Sequence, residues 1–264
     1  ISGNAITDNL WYGIYLVGSN NYVEHNSFTD DGLFVGGDYY EVVINNTVNG
    51  KPLVYLYNAS GAVVPSNAGQ VIAIDSKNVT LAGLNLGNTS VGVEFWNVNG
   101  SRIENSTISS NEYGNAVFGI CLIGSNDTVA NSTITGNHWY GIYFNGSKDT
   151  MSNNIITNNG YDGIYLTGSN NIITNNAISY GWYGIYLSDS NDTITGNIIS
   201  SNEYGIYLSG SFGDLIYNNL FNNTNNVRIS NSFAYWNVTL RAGRNILGGN
   251  MIGGNAWLLP NGTG

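Results

Sequence analysis

"WYGIYLSDSNDTITGNIISSNEYGIYLSGS", residues 182–211, contains the tetrapeptide Gly-Ile-Tyr-Leu twice, at Gly184 and at Gly205. The same four residues begin at Gly13 and Gly163, with Gly141-Ile142-Tyr143-Phe144 and Gly119-Ile120-Cys121-Leu122 as variants. From Gly119 to Gly205 the glycines recur every 21 to 22 residues, the mark of a solenoid. After each copy comes a polar turn, then an apolar residue, an Asn three further on and another apolar residue two beyond. Ile194/Asn197/Ile199, Ile173/Asn176/Ile178 and Met151/Asn154/Ile156 follow this rule, as do Val23/Asn26/Phe28, Ile1/Asn4/Ile6 and Leu215/Asn218/Leu220. In Val129/Ser132/Ile134 and Ile103/Ser106/Ile108 a serine replaces the Asn.

The apolar runs are three to five residues long, β-branched or aromatic, and broken by Asn, Gly, Ser and Asp. Such runs are strands, and no stretch carries the 3.6-residue period of a helical repeat. Three short strands per turn, stacked coil on coil, make a parallel β-helix. The reading is therefore an all-β, single right-handed parallel β-helix of about twelve coils, a rod ~55–60 Å long. One domain covers 1–264, with regular coils over 100–223, irregular excursions within 36–99 and a closing segment over 246–264. A buried Asn at one corner of each coil is expected to stack on its neighbours, amide to amide.

Composition supports a folded, polar-surfaced chain. Only 9% of the 264 residues are charged, 42% are hydrophobic, 12% are aromatic, and asparagine alone fills 45 positions. A net charge of −10 disfavours nucleic acid, which needs clustered cations. No apolar run approaches a membrane span, residues 1 to 20 do not read as a signal peptide, and one cysteine gives no disulfide framework.

In a strand, neighbouring side chains point to opposite faces. Ile and Leu of each tetrapeptide face inward, so Tyr143, Tyr165, Tyr186 and Tyr207 form an external ladder, with Cys121 on the next rung and Tyr15 on an early coil. Two more aromatic columns precede the glycine: Trp11-Tyr12, Trp139-Tyr140, Tyr161-Asp162, Trp182-Tyr183 and Glu203-Tyr204. Exposed cross-strand rings can merely stabilise a sheet. A contiguous patch of them also suits sugar rings or a protein partner.

These residues carry a resemblance. The repeat resembles the parallel β-helix repeats of NosD-like proteins of the carbohydrate-binding and sugar-hydrolase type. "NNTVNGKPLVYLYN", 45–58, looks like the irregular excursion of archaeal NosD-like surface proteins, and "GGNAW", 253–257, is similar to their closing motif. The resemblance implies an exported archaeal cell-surface protein. The copper role implied by the NosD name does not carry over: soft ligands must cluster, and the two His (His25 and His138), one Cys and two Met are scattered. No metal or other cofactor is expected.

An enzyme reading would need paired carboxylates for a glycoside hydrolase, or acidic calcium ligands with a basic residue for a polysaccharide lyase. The candidates are Asp30 and Asp31, with Asp38 and Glu24 nearby, and the pair Asp162 and Glu203. Simple stacking puts that last pair ~10 Å apart, at or beyond the edge of the inverting range. The alternative is solvated turn carboxylates, so catalysis is the weaker expectation. Asp127, Asp149 and Asp192 share one turn column, either a weak cation site or capped turns.

Asn-x-Ser/Thr acceptor sequences for N-glycosylation occur at Asn45, Asn58, Asn78, Asn88, Asn99, Asn105, Asn126, Asn131, Asn145, Asn191, Asn222, Asn237 and Asn261. Asn126, Asn145 and Asn191 fall on turns, whereas Asn105 and Asn131 sit beside the inward corner. The expected function is an extracellular, glycosylated structural subunit. Because the template is already running at Ile1 and the chain ends apolar, either the sequence is a piece of a longer polypeptide or, as the favoured expectation, coils stack head-to-tail between copies, burying Trp257, Leu258 and Leu259 against the first coil. A glycan-binding module using the aromatic ladder is the alternative, then a polysaccharide hydrolase or lyase. The low content of ion-pairing residues suggests a hot or acidic habitat.

Overall fold

Three sheets wrap around one axis in the computed structural model, which describes residues 1–9, 12–110, 118–259 and 263. No helix occurs among the described residues. The largest sheet has twelve strands and the other two main sheets have eight each. One regular coil runs Tyr183–Leu187, Thr193–Thr195 and Ile198–Ser200, each strand pairing in parallel with its counterpart a coil later. The architecture is a parallel β-helix of about ten turns, fewer than the twelve expected. Residues 51–69 make a short coil, with Ser60 and Val63 bridging in parallel to Lys77 and Thr80, and among the described residues no strand after Asn225–Ser230 joins the largest sheet.

The first of these places holds a reversal. Thr47–Val48 and Lys51–Tyr57 form an antiparallel pair around Asn49 and Gly50, so strand direction flips within the main sheet. The interior also changes sides. Val71 and Ala73 point into the long core, whereas Ile72 and Ile74 join a second core with Val23, Phe28, Leu33 and Val48. Gln70–Ile74 is buried on both faces for that reason. The coils of residues 1–48 therefore lean on the outer face of the long helix, through a two-stranded sheet of Ile14–Leu16 and Leu33–Val35.

Within the long core the sequence rule holds. Ile173, Ile178, Ile185, Leu187, Ile194, Ile199, Ile206 and Leu208 are fully or almost fully buried. Removing one such side chain costs about 2–5 kcal/mol. Leu215/Asn218/Leu220 breaks the rule by one residue: Ile216, Asn219 and Phe221 are the inward set. A shift between Phe212 and Asp214 supplies the extra residue, and a one-residue slip exchanges the two faces.

The asparagines explain themselves in pairs. Asn153, Asn175 and Asn218 adopt φ of 56°, 55° and 56°, the left-handed bend that Asn tolerates, and the next residue turns inward. Asn154, Asn176, Asn197 and Asn219 then each donate Nδ2 to the Oδ1 of the next rung at 2.9–3.0 Å. Asn255 is the last rung. A second column runs Asn137–Asn159 and Asn202–Asn223, where the sequence suggested a single polar corner. A third is occupied by carboxyls.

Candidate functional site

One outer face of the long helix is aromatic because three positions per coil place rings there in register. Cys121, Tyr143, Tyr165, Tyr186 and Tyr207 align as the repeat implies, and Arg228 completes the column. Beside it run Phe118, Tyr140, Asp162, Tyr183 and Tyr204. At the corner stand Trp139, Tyr161 and Trp182, linked by main-chain hydrogen bonds from Tyr161 N to Trp139 O at 2.7 Å and from Trp182 N to Tyr161 O at 2.6 Å.

The three columns present different chemistry. Tyr143 stacks on Tyr165 with ring centres 5.4 Å apart, and Tyr165 on Tyr186 at 4.6 Å, with planes inclined by 11° and 5°. Their faces are occupied by each other, so the ladder offers edges and hydroxyls to solvent. The open rings are in the corner column, where Trp139, Tyr161 and Trp182 are 40%, 47% and 46% exposed. Tyr183 is buried between, while Tyr140 and Tyr204 are half-buried. At the far end the Arg228 guanidinium lies 4.7 Å from the Tyr207 ring centre and 5.4 Å from that of Tyr204, and donates to Tyr183 Oη at 2.9 Å. Burial pushes the phenols of Tyr140, Tyr143 and Tyr165 above their ordinary range, so these three hydroxyls stay neutral.

The near end differs from expectation. Tyr15 is not a rung of this ladder, because its strand belongs to the leaning first coils. It joins the aromatic face sideways, through Phe34 at 5.6 Å and then Phe118, whose ring lies tilted against Tyr143 with centres 5.0 Å apart. Those same coils cover Cys121, leaving it buried among Phe34, Val91 and Phe118. Trp11 lies outside the described residues. Beneath the cover sits Glu94, in register with Cys121, receiving Trp96 Nε1 at 2.7 Å and the Val35 amide at 3.1 Å. Burial raises its carboxyl to about 8.

The carboxylate candidates do not converge. Asp162 is wholly buried between Tyr140 and Tyr183, and neither oxygen finds a hydrogen-bond partner among the described residues. The nearby Tyr183 amide does lower its pKa, but that amide donates to Tyr161 O at 3.2 Å, and burial prevails, leaving the carboxyl at about 8. Glu203 stands half-buried in the corner column, two coils away, weakly held by Asn225 Nδ2 at 3.4 Å. Asp31 is a buried clip that accepts Asn9 Nδ2 at 2.6 Å and the Gly32 amide at 3.0 Å. Asp30 lines a separate open depression with Lys51, Asn85 and Ser109. No two of these form an accessible acid–base pair on the aromatic face.

Of the glycosylation candidates, Asn45, Asn58, Asn78, Asn88, Asn99, Asn126, Asn145, Asn191 and Asn237 are exposed and Asn222 is half-buried. Asn105 and Asn131 are exposed as well, since each is the left-handed residue preceding the inward Ser106 or Ser132. Asn261 lies outside the described residues. Sequence reasoning missed Phe34, Phe118, Glu94 and Arg228. Only Arg228 was within reach, since it stands 21 residues after Tyr207.

Several solved structures share this fold. The periplasmic alginate epimerase AlgG aligns with a TM-score of 0.56 at 14% identity, over 97% of this chain and 65% of that one. The mannuronan C-5 epimerase AlgE4 A-module from Azotobacter vinelandii gives 0.57 at 15%, over 100% and 69%. The Dettilon tailspike protein gives 0.52 at 14%, over 94% and 55%. At these identities the likeness is one of fold. The chain spans about two thirds of either epimerase's length. No curated protein sequence matches the chain.

A family model described as periplasmic copper-binding protein (NosD) matches residues 51–262. The residues present do not fit copper. Cys121 is sealed in the protein with its thiol pushed well above its usual range, chiefly by burial, and Met151 is enclosed in the core. His25 and His138 are exposed on separate coils. Among the described residues no three His, Cys, Asp or Glu side chains gather as a metal site. The matched residues are those that build the long parallel β-helix, and on that shared repeat the chain belongs to the NosD family.

Proposed function

We propose that the protein works outside the cytoplasm and holds a carbohydrate polymer along its aromatic face without cleaving it. The observation that carries this reading is the corner column of Trp139, Tyr161 and Trp182, three open rings repeating once per coil beside a row of neutral tyrosine hydroxyls. Flat apolar faces next to hydroxyls suit pyranose rings, whose CH faces stack and whose hydroxyls bond. Structural neighbours named for action on alginate and mannuronan make a polysaccharide a reasonable ligand class for such a face. Binding without cleavage follows from the carboxyls, since Asp162 is covered and Glu203 stands apart from it.

The test is a glycan array of neutral and uronate polymers with the wild type and a Trp139→Ala/Tyr161→Ala/Trp182→Ala variant. The open rings are replaced, rather than the ladder tyrosines, because the ladder supports itself. Binding should fall at least tenfold in the variant while its melting point stays close to the wild type. Unchanged binding, or a wild type that binds no glycan, refutes the reading.

A second reading, self-association, has its own observation. Asn225–Ser230 and Phe233–Tyr235 are the outermost strands of their sheets at one end, with Ile229, Phe233 and Tyr235 exposed. An open edge of this kind pairs with another chain. Trp257, expected at such a junction, stacks on Phe221 of the preceding coil at 4.6 Å and remains 40% exposed. The N-glycosylated surface subunit remains part of this second reading. Filaments in electron micrographs would favour it over glycan binding.

A further inference from the structure

The third polar column differs from the other two in charge type. Ser101, Asp127, Asp149, Asn171, Asp192 and Asp214 occupy one corner, one per coil, and all are buried. Each acceptor oxygen receives the main-chain amide of the preceding rung. Ser101 N donates to Asp127 Oδ1 at 2.6 Å, Asp127 N to Asp149 Oδ1 at 2.8 Å and Asp149 N to Asn171 Oδ1 at 2.9 Å. Asn171 N donates to Asp192 Oδ1 at 2.8 Å, and Asp192 N to Asp214 Oδ1 at 3.0 Å. One oxygen of each aspartate is accounted for.

The amide rung reveals what the other oxygen faces. Asn171 Nδ2 donates to the Gly146 carbonyl at 3.2 Å. In the acidic rungs the matching atom is Oδ2 of Asp127, Asp149 and Asp192, each buried with no hydrogen-bond partner among the described residues. The glycines alongside confirm the crowding. A Cβ on Gly146 would collide with the Gly124 carbonyl and stand 2.7 Å from Asp149 Oδ2; one on Gly124 would collide with the Val98 carbonyl and stand 3.0 Å from Asp127 Oδ2. Carboxyl oxygen and carbonyl oxygen thus crowd one small space. Two acceptors facing each other out of water repel unless a proton lies between them.

We infer that Asp127, Asp149 and Asp192 are neutral carboxylic acids in the folded protein, each Oδ2 donating its proton to a main-chain carbonyl as Asn171 Nδ2 does. The column is then a proton-loaded spine, and the fold is built to be most stable in an acidic medium. Burial raises these groups to about 7, about 8 and about 7 respectively, opposed by the main-chain amides and, at Asp192, also by the Asn171 side chain. The titratable groups that act on the column are further acids: Asp127 and Asp192 on Asp149, and Asp214 and Asp189 on Asp192. Asp214 is itself raised and receives the Ser211 hydroxyl. Lys148 is exposed at the corner, and Arg102 pairs outside with Glu104 at 3.5 Å. No cation therefore neutralises the spine.

The sign follows from the direction of the shift. The folded state binds these protons more tightly than the unfolded chain, so their stabilisation is complete below the unfolded value of about 4 and is lost as pH rises through about 7 to 8. The experiment compares thermal melts of the wild type and an Asp127→Asn/Asp149→Asn/Asp192→Asn variant from about pH 4 to about pH 9. Infrared spectra at neutral pH accompany them, read at the carboxylic-acid carbonyl band. The wild type should melt progressively lower as pH rises. The triple variant, with permanent donors at all three rungs, should show a flatter profile, melt above the wild type at the alkaline end and lose part of the acid band. If the triple variant does not fold, Asp149→Asn alone is read by the same band. An unchanged slope and band in the variant would overturn the inference. So would alkaline stability restored to the wild type by added sodium or calcium, since a cation would then be the occupant.

Discussion

Replacing Asn176 by alanine tests whether the asparagine columns hold the coils together or merely fill a corner. Asn176 Oδ1 accepts the Asn154 amide at 2.9 Å and Asn154 Nδ2 at 3.0 Å. Its own Nδ2 donates to Asn197 Oδ1 at 3.0 Å, to the Met151 carbonyl at 2.9 Å and to the Thr174 carbonyl at 3.1 Å. The substitution strands the buried Asn154 amide and strips a donor from the Met151 carbonyl. Each stranded group costs roughly 1–3 kcal/mol. Some of that returns through relaxation, so the loss should be about 2–4 kcal/mol. For a chain of this size each kcal/mol moves the melting point by about 2–4 °C, which predicts a fall of about 4–16 °C. Circular dichroism melts would measure it. Asn176→Asp is the companion: protonated, it keeps the acceptor and one donor, but ionised it sets a negative oxygen against Asn197 Oδ1. Its loss should therefore be small near pH 4 and large near pH 8. An Asn176→Ala protein within about 1 kcal/mol of the wild type would refute the reasoning.

Two further outcomes follow from close contacts. Gly184→Ala places a Cβ 2.6 Å from the Gly205 carbonyl oxygen and 2.7 Å from Ile199 Cγ2; it should cost about 1–3 kcal/mol, seen as a lower denaturation midpoint. Arg228→Ala removes a guanidinium stacked on Tyr207 and bonded to Tyr183. A loss of about 0.5–1 kcal/mol is expected, with Arg228→Lys recovering only part because it cannot both stack and bond.

Much of the fold was legible because the repeat writes it plainly. The 21-to-22-residue period, the alternation in Gly-Ile-Tyr-Leu and the Asn three places after an apolar residue each follow from one strand pleat or one corner. What escaped was anything that depends on a break in the period. The hairpin at Asn49 and Gly50 turns the chain around, and nothing in Ile72 or Ile74 announces that they face a second core rather than solvent. Cys121 and Glu94 stand in the outward column but are covered by coils distant in sequence. The site was half legible for a related reason. Alternation tells that Tyr165 points out, but not that its ring lies flat against Tyr186 and leaves stacking to Trp139, Tyr161 and Trp182.

The same blindness affected the charge. A net −10 read from composition assumes solvated carboxylates. Yet Asp31, Glu41, Glu94, Asp127, Asp149, Asp162, Asp192 and Asp214 are buried, and ion pairs among the described residues are confined to Glu24–His25 and Arg102–Glu104. Burying a carboxylate without a cation is prohibitive, so such groups take up a proton or accept several donors. Asp31 does the latter and the spine does the former. Acid that would dismantle a fold resting on ion pairs removes little here, because few pairs exist to lose. The cost instead falls on the alkaline side, where the acids of the spine must either release their protons into a low-dielectric corner or open the coil around them. A chain that buries eight of its 17 carboxyls and rests on few ion pairs therefore resists acid by the same arrangement that makes it vulnerable to base.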